Sequence, residues 1–125
     1  MPLYRCTTPA GSLSADQRVD LASAITDIHC DETTAPPTFV HVQFHDAPAS
    51  EPGRWSIHGG LRAGRPPEVT SNIIERCTTA MAEIAGVNQD DVTMRVSQTP
   101  ASWIYEGGRV LPEPGEEAAW VGSSV

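Results

Sequence analysis

The sequence predicts an α/β fold, a tandem β-α-β repeat whose mixed sheet carries two helices on one face. Three observations lead there. Each half of the chain runs strand, helix, strand. A shift of 52 residues superposes the halves without a gap, laying Val40, Val42 and Phe44 on Val92, Met94 and Val96, and Leu21 on Ile73. The same shift lays Pro48-Ala49-Ser50 on Pro100-Ala101-Ser102, and register kept across strand, helix and strand is the mark of a duplicated unit.

The elements follow in order. Residues 3–8 read as a short strand closed by Pro9-Ala10-Gly11. Ser14 stands three residues before Gln17, a capping box, and Leu21, Ala24, Ile25 and Ile28 follow at helical spacing. The expected helix covers about 14–33, and Pro36-Pro37 ends it. From Thr38 to Asp46 the pattern alternates, with Val40, Val42 and Phe44 on one face and Phe39, His41, Gln43 and His45 on the other. A strand at 54–58 then leads into a Gly-rich turn, and Pro66-Pro67 opens a helix to about Ala85. Proline suits a first helical turn, where a missing N–H costs nothing. The strand with Val92, Met94 and Val96 ends at Pro100.

One domain over 1–125 is expected, with half-repeats at about 2–50 and 54–102 and a C-terminal arm at 103–125. Two parallel strand pairs under two helices leave one sheet face bare, and a 125-residue chain has few elements to cover it. Oligomerisation is the expected remedy. The arm holds Trp103, Ile104, Tyr105, Val110, Leu111 and Trp120 among glycines and prolines. It reads as an extended segment or hairpin that docks on a neighbour.

Composition narrows the function. The chain has 16 acidic and 8 basic side chains and a net charge of −8, which repels phosphate backbones and argues against nucleic acid as a partner. Every basic residue is Arg, so Lys Schiff-base chemistry and a P-loop lysine are excluded within it. No run of 18 apolar residues offers a membrane span, and the first residues lack the layout of a signal peptide; the expected compartment is the cytoplasm. Cys6, Cys30 and Cys77 are odd in number and lack C-x-x-C spacing, which predicts free thiols rather than a disulfide framework or a zinc knuckle. His41 and His45 share a strand face without a third ligand in view, so no metal is expected.

The first two residues are the candidates for chemistry, although taken alone Pro2 reads as a residue merely common at that position. Initiator Met before Pro2 is normally removed, and the new terminus is then a ring-fixed secondary amine. An α-amino group titrates near pH ~7.7–8.0, and burial or nearby cations lower it into the range of a general base. Taken alone, Arg62 and Arg65 read as a solvated turn and Glu117 as part of an exposed acidic tail.

Met1-Pro2-Leu3-Tyr4 at the front of a β-α-β repeat resembles the tautomerase superfamily, whose members use an amino-terminal proline as the catalytic group. Three further segments resemble its cis-3-chloroacrylic acid dehalogenase group. Ala24-Ile25-Thr26-Asp27-Ile28-His29 is similar to that group's helix end bearing a functional His. His58-Gly59-Gly60-Leu61-Arg62-Ala63-Gly64-Arg65 is similar to its loop with two carboxylate-binding arginines. The segment from Arg109 through Glu117 is similar to its C-terminal segment, and Trp120 fits as well.

The resemblance implies a cofactor-independent enzyme, a homotrimer, acting on a small carboxylate. Pro2 would move the proton, as base or acid. Arg62 and Arg65 would hold the substrate carboxylate, a task suited to a forked guanidinium. His29 would assist with that carboxylate or with the attacking water, and Glu117 would activate the water. The ungapped match places Gly107 where the group carries a Tyr; Tyr105, two residues earlier on the same strand face, is the candidate to replace it.

Overall fold

In the computed structural model, residues 1–123 are described. The first half comprises β1 (Leu3–Thr8), α1 (Ala15–Glu32) and β2 (His41–Asp46); the second comprises β3 (Trp55–Arg62), α2 (Pro67–Ala85) and β4 (Val92–Thr99). The sheet runs β2-β1-β3-β4, with β1 parallel to β2, β3 parallel to β4, and the halves joined by the antiparallel β1–β3 pair. This is the expected mixed sheet. Tyr4, Cys6, Ile57 and Leu61 from the sheet meet Leu21, Ile25, Ile28, Ile73, Cys77 and Met81 from the helices in one core. The start of α1 and the end of α2 follow local chemistry. The Ser14 hydroxyl accepts from Gln17 N while the Gln17 side chain accepts from Ser14 N, the reciprocal capping box, and Gly86 closes α2 at φ +72°.

Two expectations are corrected, and the arm gains a helix. The strand expected from Thr38 starts at His41, because Pro37–Phe39 form a 3₁₀ turn that buries Phe39 instead of leaving it on the His41 face. Proline at the start of that turn fixes the bend. The strand expected at 54–58 continues to Arg62, taking in Gly59 and Gly60, which had read as a turn. Gly59 lies opposite Tyr4, and a Cβ there would meet Leu61 Cδ1 at 2.9 Å and the Tyr4 ring at 3.1 Å. Glycine here admits a close aromatic ring rather than turning the chain. The arm forms a hairpin, β5 (Tyr105–Glu106) with β6 (Arg109–Val110), and then a short helix, α3 (Glu117–Gly122), that the sequence had not announced. Residues 124 and 125 of the expected arm lie outside the described residues.

The helix-free sheet face is polar. Its side chains include Arg5 on β1, His41, Gln43 and His45 on β2, His58 on β3 and Arg95 on β4. Cys6, Cys30 and Cys77 are all free thiols, and burial pushes Cys6 and Cys77 up to about 12, which leaves them inert. No helix among the described residues is long and apolar enough to cross a membrane.

Candidate active site

The ends of α1 and β3, the Ala63–Pro66 loop and the start of α3 meet at one end of the sheet. Arg62, the last residue of β3, is 2 % exposed. Its Nη1 donates to the Pro112 carbonyl at 2.7 Å and its Nη2 to Glu117 Oε1 at 2.8 Å, while its guanidinium lies 5.7 Å from the Phe39 ring centroid. The tail supplies both acceptors. A turn through Pro112–Gly115, with Gly115 at φ +96°, swings the chain so that the first residue of α3 points inward.

Glu117 is 3 % exposed, against the solvent-exposed tail that its sequence context suggests. Its Oε2 accepts from Thr34 Oγ1 and from the Gly115 backbone N–H, each at 3.0 Å. Burial alone raises its pKa, but backbone N–H groups, Arg62 and Thr34 together prevail and hold the carboxyl below the usual range. The group is ionised and weakly basic at neutral pH. Arg65 likewise leaves the solvated turn. Its Nη1 donates to the Arg62 carbonyl at 3.3 Å, while Nη2 stands 3.9 Å from Glu117 Oε1, within ion-pair range and beyond a hydrogen bond. Burial, then the neighbouring Arg62 cation, lowers the Arg65 pKa.

His29, fully buried in the last turn of α1, has Nδ1 2.7 Å from the Tyr4 hydroxyl. Burial pushes the Tyr4 pKa well above its ordinary range, so the phenol keeps its proton. Nδ1 is the acceptor within reach of that proton among the described residues, which places the remaining imidazole proton on Nε2. Burial first, then the cations of Arg65, Arg62 and the amino terminus, lower His29 to about 3. The ring is a neutral donor.

Among the described residues, two buried polar side-chain atoms lack a hydrogen-bond partner, His29 Nε2 and Arg65 Nη2. Native interiors satisfy nearly all such groups, so these two donors are where a water, an ion or a ligand would supply an acceptor.

Pro2 is buried, and its carbonyl accepts from His41 N at 3.0 Å. With Met1 in place the Pro2 nitrogen is an amide and carries no basicity. The Met1 ammonium forms an ion pair with Glu106 of β5. Tyr105, beside it, is 65 % exposed and lines a groove with Met1, Leu3 and His41. Its hydroxyl makes no hydrogen bond to Glu117 or to any other described residue. Thus Arg62, Arg65 and Glu117 are in mutual contact, the charges of Arg65, Arg62 and the Met1 ammonium act on His29, and Tyr105 stands apart.

Four contributors escaped the sequence reading: Tyr4, which sets the His29 tautomer; Thr34 and the Pro112 carbonyl, which hold Glu117 and Arg62; and Glu106, which meets the terminal charge. Tyr4 had a usable signal, since a phenol at an inward strand position requires a buried polar partner. The other three depend on how the tail folds back.

No protein-family model and no curated protein matches the chain. Among solved structures, N1, a member of the cis-3-chloroacrylic acid dehalogenase family, aligns at TM-score 0.90 and 27 % identity, over 98 % of this chain and 92 % of its own. Native Ps01740 is 37 % identical at TM-score 0.77, over 83 % of this chain and 99 % of its own. A fused 4-OT that forms an asymmetric trimer aligns at TM-score 0.79 and 18 % identity, over 97 % of this chain and 99 % of its own, a likeness of fold. With its β-α-β repeat and these structural neighbours, the chain belongs to the tautomerase superfamily.

Proposed function

We propose that the chain is a single tautomerase-like domain that works as a cofactor-independent enzyme, using Pro2 as its amino-terminal proline once Met1 is removed. The substrate class is a small 3-substituted acrylate-type acid, hydrated or dehalogenated, with keto–enol tautomerisation as an accompanying activity. The observation that carries this reading is the pair of orphaned buried donors, Arg65 Nη2 and His29 Nε2. A substrate carboxylate satisfies a guanidinium edge and an imidazole N–H together. Arg62, already bonded to Glu117 and Pro112, serves chiefly to fix the site, so Arg65 is the principal carboxylate ligand.

In the hydration mode, the Pro2 ammonium gives its proton to Cα while Glu117 takes a proton from water as the oxygen adds to Cβ. When Cβ carries halide, the adduct holds hydroxyl and halide on one carbon and loses HX to leave an aldehyde. In the tautomerase mode, neutral Pro2 takes a proton from the enol acid and returns it to carbon. The firm hold of Arg62, Thr34 and Gly115 on Glu117 weakens it as a base and favours a mainly tautomerase enzyme as the second reading. A retained Met1 favours a third, a non-catalytic binding protein, because an acylated proline nitrogen cannot move a proton. The trimeric fused 4-OT supports a homotrimer for this chain as well.

Intact mass of the purified protein decides whether Met1 is lost. Pro2→Ala should depress both activities. Glu117→Gln should lower hydration or dehalogenation of cis-3-chloroacrylate by roughly 10²–10⁴-fold, as loss of a general base does. It should spare phenylpyruvate enol tautomerisation within about tenfold, ~1.4 kcal/mol. Equal losses in both assays would make Glu117 a structural group.

A further inference from the structure

We propose that Glu106 is the counter-ion of the processed amino terminus, a positioning residue whose carboxylate keeps the Pro2 amine protonated. It thereby commits the site to giving a proton to Cα rather than taking one. The inference rests on Pro2 as the proton-moving group, and it selects between the two modes that reading leaves open. Glu106 ends β5 and forms an ion pair with the Met1 ammonium. Only the Met1 Cα and carbonyl carbon separate that nitrogen from the Pro2 nitrogen, so the two lie no more than about 3.7 Å apart. Loss of Met1 moves the charged amine inward by that distance alone. The carboxylate then stands within roughly 6–7 Å of it before any side chain moves, and a change of rotamer brings the half-buried Glu106 closer. The contact is made within one chain and depends on no sheet face being open.

The hairpin leaves this carboxylate for the terminus. Opposite charges facing each other across a ladder ordinarily pair, and Arg109 stands directly across from Glu106. Yet Arg109 turns away. Its guanidinium lies 4.0 Å from the Trp120 ring centroid and donates to the Trp120 carbonyl at 3.0 Å. The other charges near the amine come from every element packed there. Arg62 and Arg65 act on His29 together with the terminal ammonium, so the three cations share one field and the arginines oppose a charged amine. Glu117 works against them, but its oxygens already accept from Arg62, Thr34 and Gly115. His29 is neutral, and Tyr4 keeps its proton. His41 of β2 holds the Pro2 carbonyl through its backbone N–H and lines one groove with Tyr105 and Glu106; as a cation it would side with the arginines. Burial and two guanidiniums thus favour a neutral Pro2, and Glu106 is the group that reverses the balance. It forms and breaks no bond itself. The Pro2 N–H proton goes to Cα, the water oxygen bonds Cβ, and Glu117 takes the water proton.

Intact mass of the purified full chain comes first, since a retained Met1 overturns the Pro2 reading and this inference with it. With Met1 lost, direct ¹⁵N detection of labelled proline isolates the group, because of 11 prolines only the amino-terminal one carries a titrating nitrogen. Glu106→Gln should lower the Pro2 pKa by about 0.5–1 pH unit, a modest effect because Glu106 is 37 % exposed and partly screened. Glu106→Asp should keep most of the wild-type value. Glu51→Gln, which removes a carboxylate held by Arg54 ahead of β3, should leave it unchanged. Kinetics should move in step. The alkaline limb of kcat/KM for cis-3-chloroacrylate hydration shifts to lower pH in Glu106→Gln while the plateau below it keeps its height. Phenylpyruvate enol tautomerisation near pH 7 rises about three- to tenfold, as the neutral amine becomes more abundant. An unchanged Pro2 pKa in Glu106→Gln overturns the inference and leaves the Pro2 reading standing. A loss of activity that is uniform across pH, with the limb unmoved, overturns it too and makes Glu106 a structural part of the hairpin.

Discussion

The two halves of the chain share a strand-helix-strand layout, yet the two ends of the sheet differ in chemistry. The 52-residue shift keeps face in the helices and in β2 and β4 but not between β1 and β3, where Tyr4 points into the core and Ser56 to the helix-free face. Under it His29 corresponds to Met81, while Arg62 and Arg65 correspond to Ala10 and Leu13. Because β1 and β3 are antiparallel, these counterparts sit at opposite ends of the sheet. At one end two guanidiniums and a carboxylate hold one another beside a buried imidazole; at the other, Met81 and Leu13 simply join the core. The tail accounts for the asymmetry. It folds over one end only, bringing Pro112 and Glu117 as acceptors for cations that would be costly to bury alone. The repeat supplies the scaffold, and a segment outside the repeat makes a polar interior possible at one end.

The sharpest way to break this contrast is to remove the group that joins scaffold and tail. Arg62→Ala leaves Glu117 buried without its main partner, and cutting one member of a buried pair costs about 3–5 kcal/mol. Denaturant unfolding should show that loss, and Arg62→Ala/Glu117→Ala should lose less than the sum of the single variants. A cost under about 1 kcal/mol for Arg62→Ala would mean that packing of Phe39 and Trp120, rather than charge pairing, seats the tail.

The repeat, both helices and the four strands are legible in the sequence because period and caps are local. Ser14 with Gln17 and the alternation of Val92, Met94 and Val96 need nothing distant to be read. Gly59 misled because its reason lies across the sheet, in the Tyr4 ring. The burial of Arg62, Arg65 and Glu117 was illegible for the same reason: a charged residue looks solvent-bound until its partner, 55 residues away for the Arg62–Glu117 pair, is known to arrive. Resemblance had named these residues as site candidates, but it carried no information about which arginine uses both ends of its guanidinium and which keeps an open donor.

That division gives a smaller, separable effect. Arg65→Ala removes a guanidinium edge with no hydrogen bond inside the protein, while Glu117 keeps Arg62, Thr34 and Gly115. Its KM for a carboxylate substrate should rise by roughly 10- to 150-fold, the equivalent of a charge-assisted contact of ~1.5–3 kcal/mol. Stability should change by less than about 1 kcal/mol. Arg62→Ala, by contrast, should lose stability first. Should the two variants exchange these behaviours, Arg62 is the carboxylate ligand and Arg65 the anchor.

The mildest test concerns His29 and needs only pH. Its pKa in the folded chain is lowered to about 3, whereas an exposed imidazole titrates near 6.5. Between those values the unfolded chain binds a proton that the folded chain refuses, so stability falls as pH falls. The loss begins near pH 6.5 and ends near pH 3. Over the single step from pH 6.5 to 5.5 this group should cost about 1 kcal/mol, before the limiting slope of ~1.4 kcal/mol per pH unit is reached. Glu117, also lowered, adds its loss only below the ordinary carboxylate range, so the step isolates the imidazole. Met81 marks the matching position at the other end and has no proton to exchange, which makes His29→Gln the informative variant. Denaturant unfolding at the two pH values should show the step shrinking by about 1 kcal/mol in His29→Gln. An unchanged step would mean that His29 is protonated in the folded protein, with a carboxylate close enough to hold that charge.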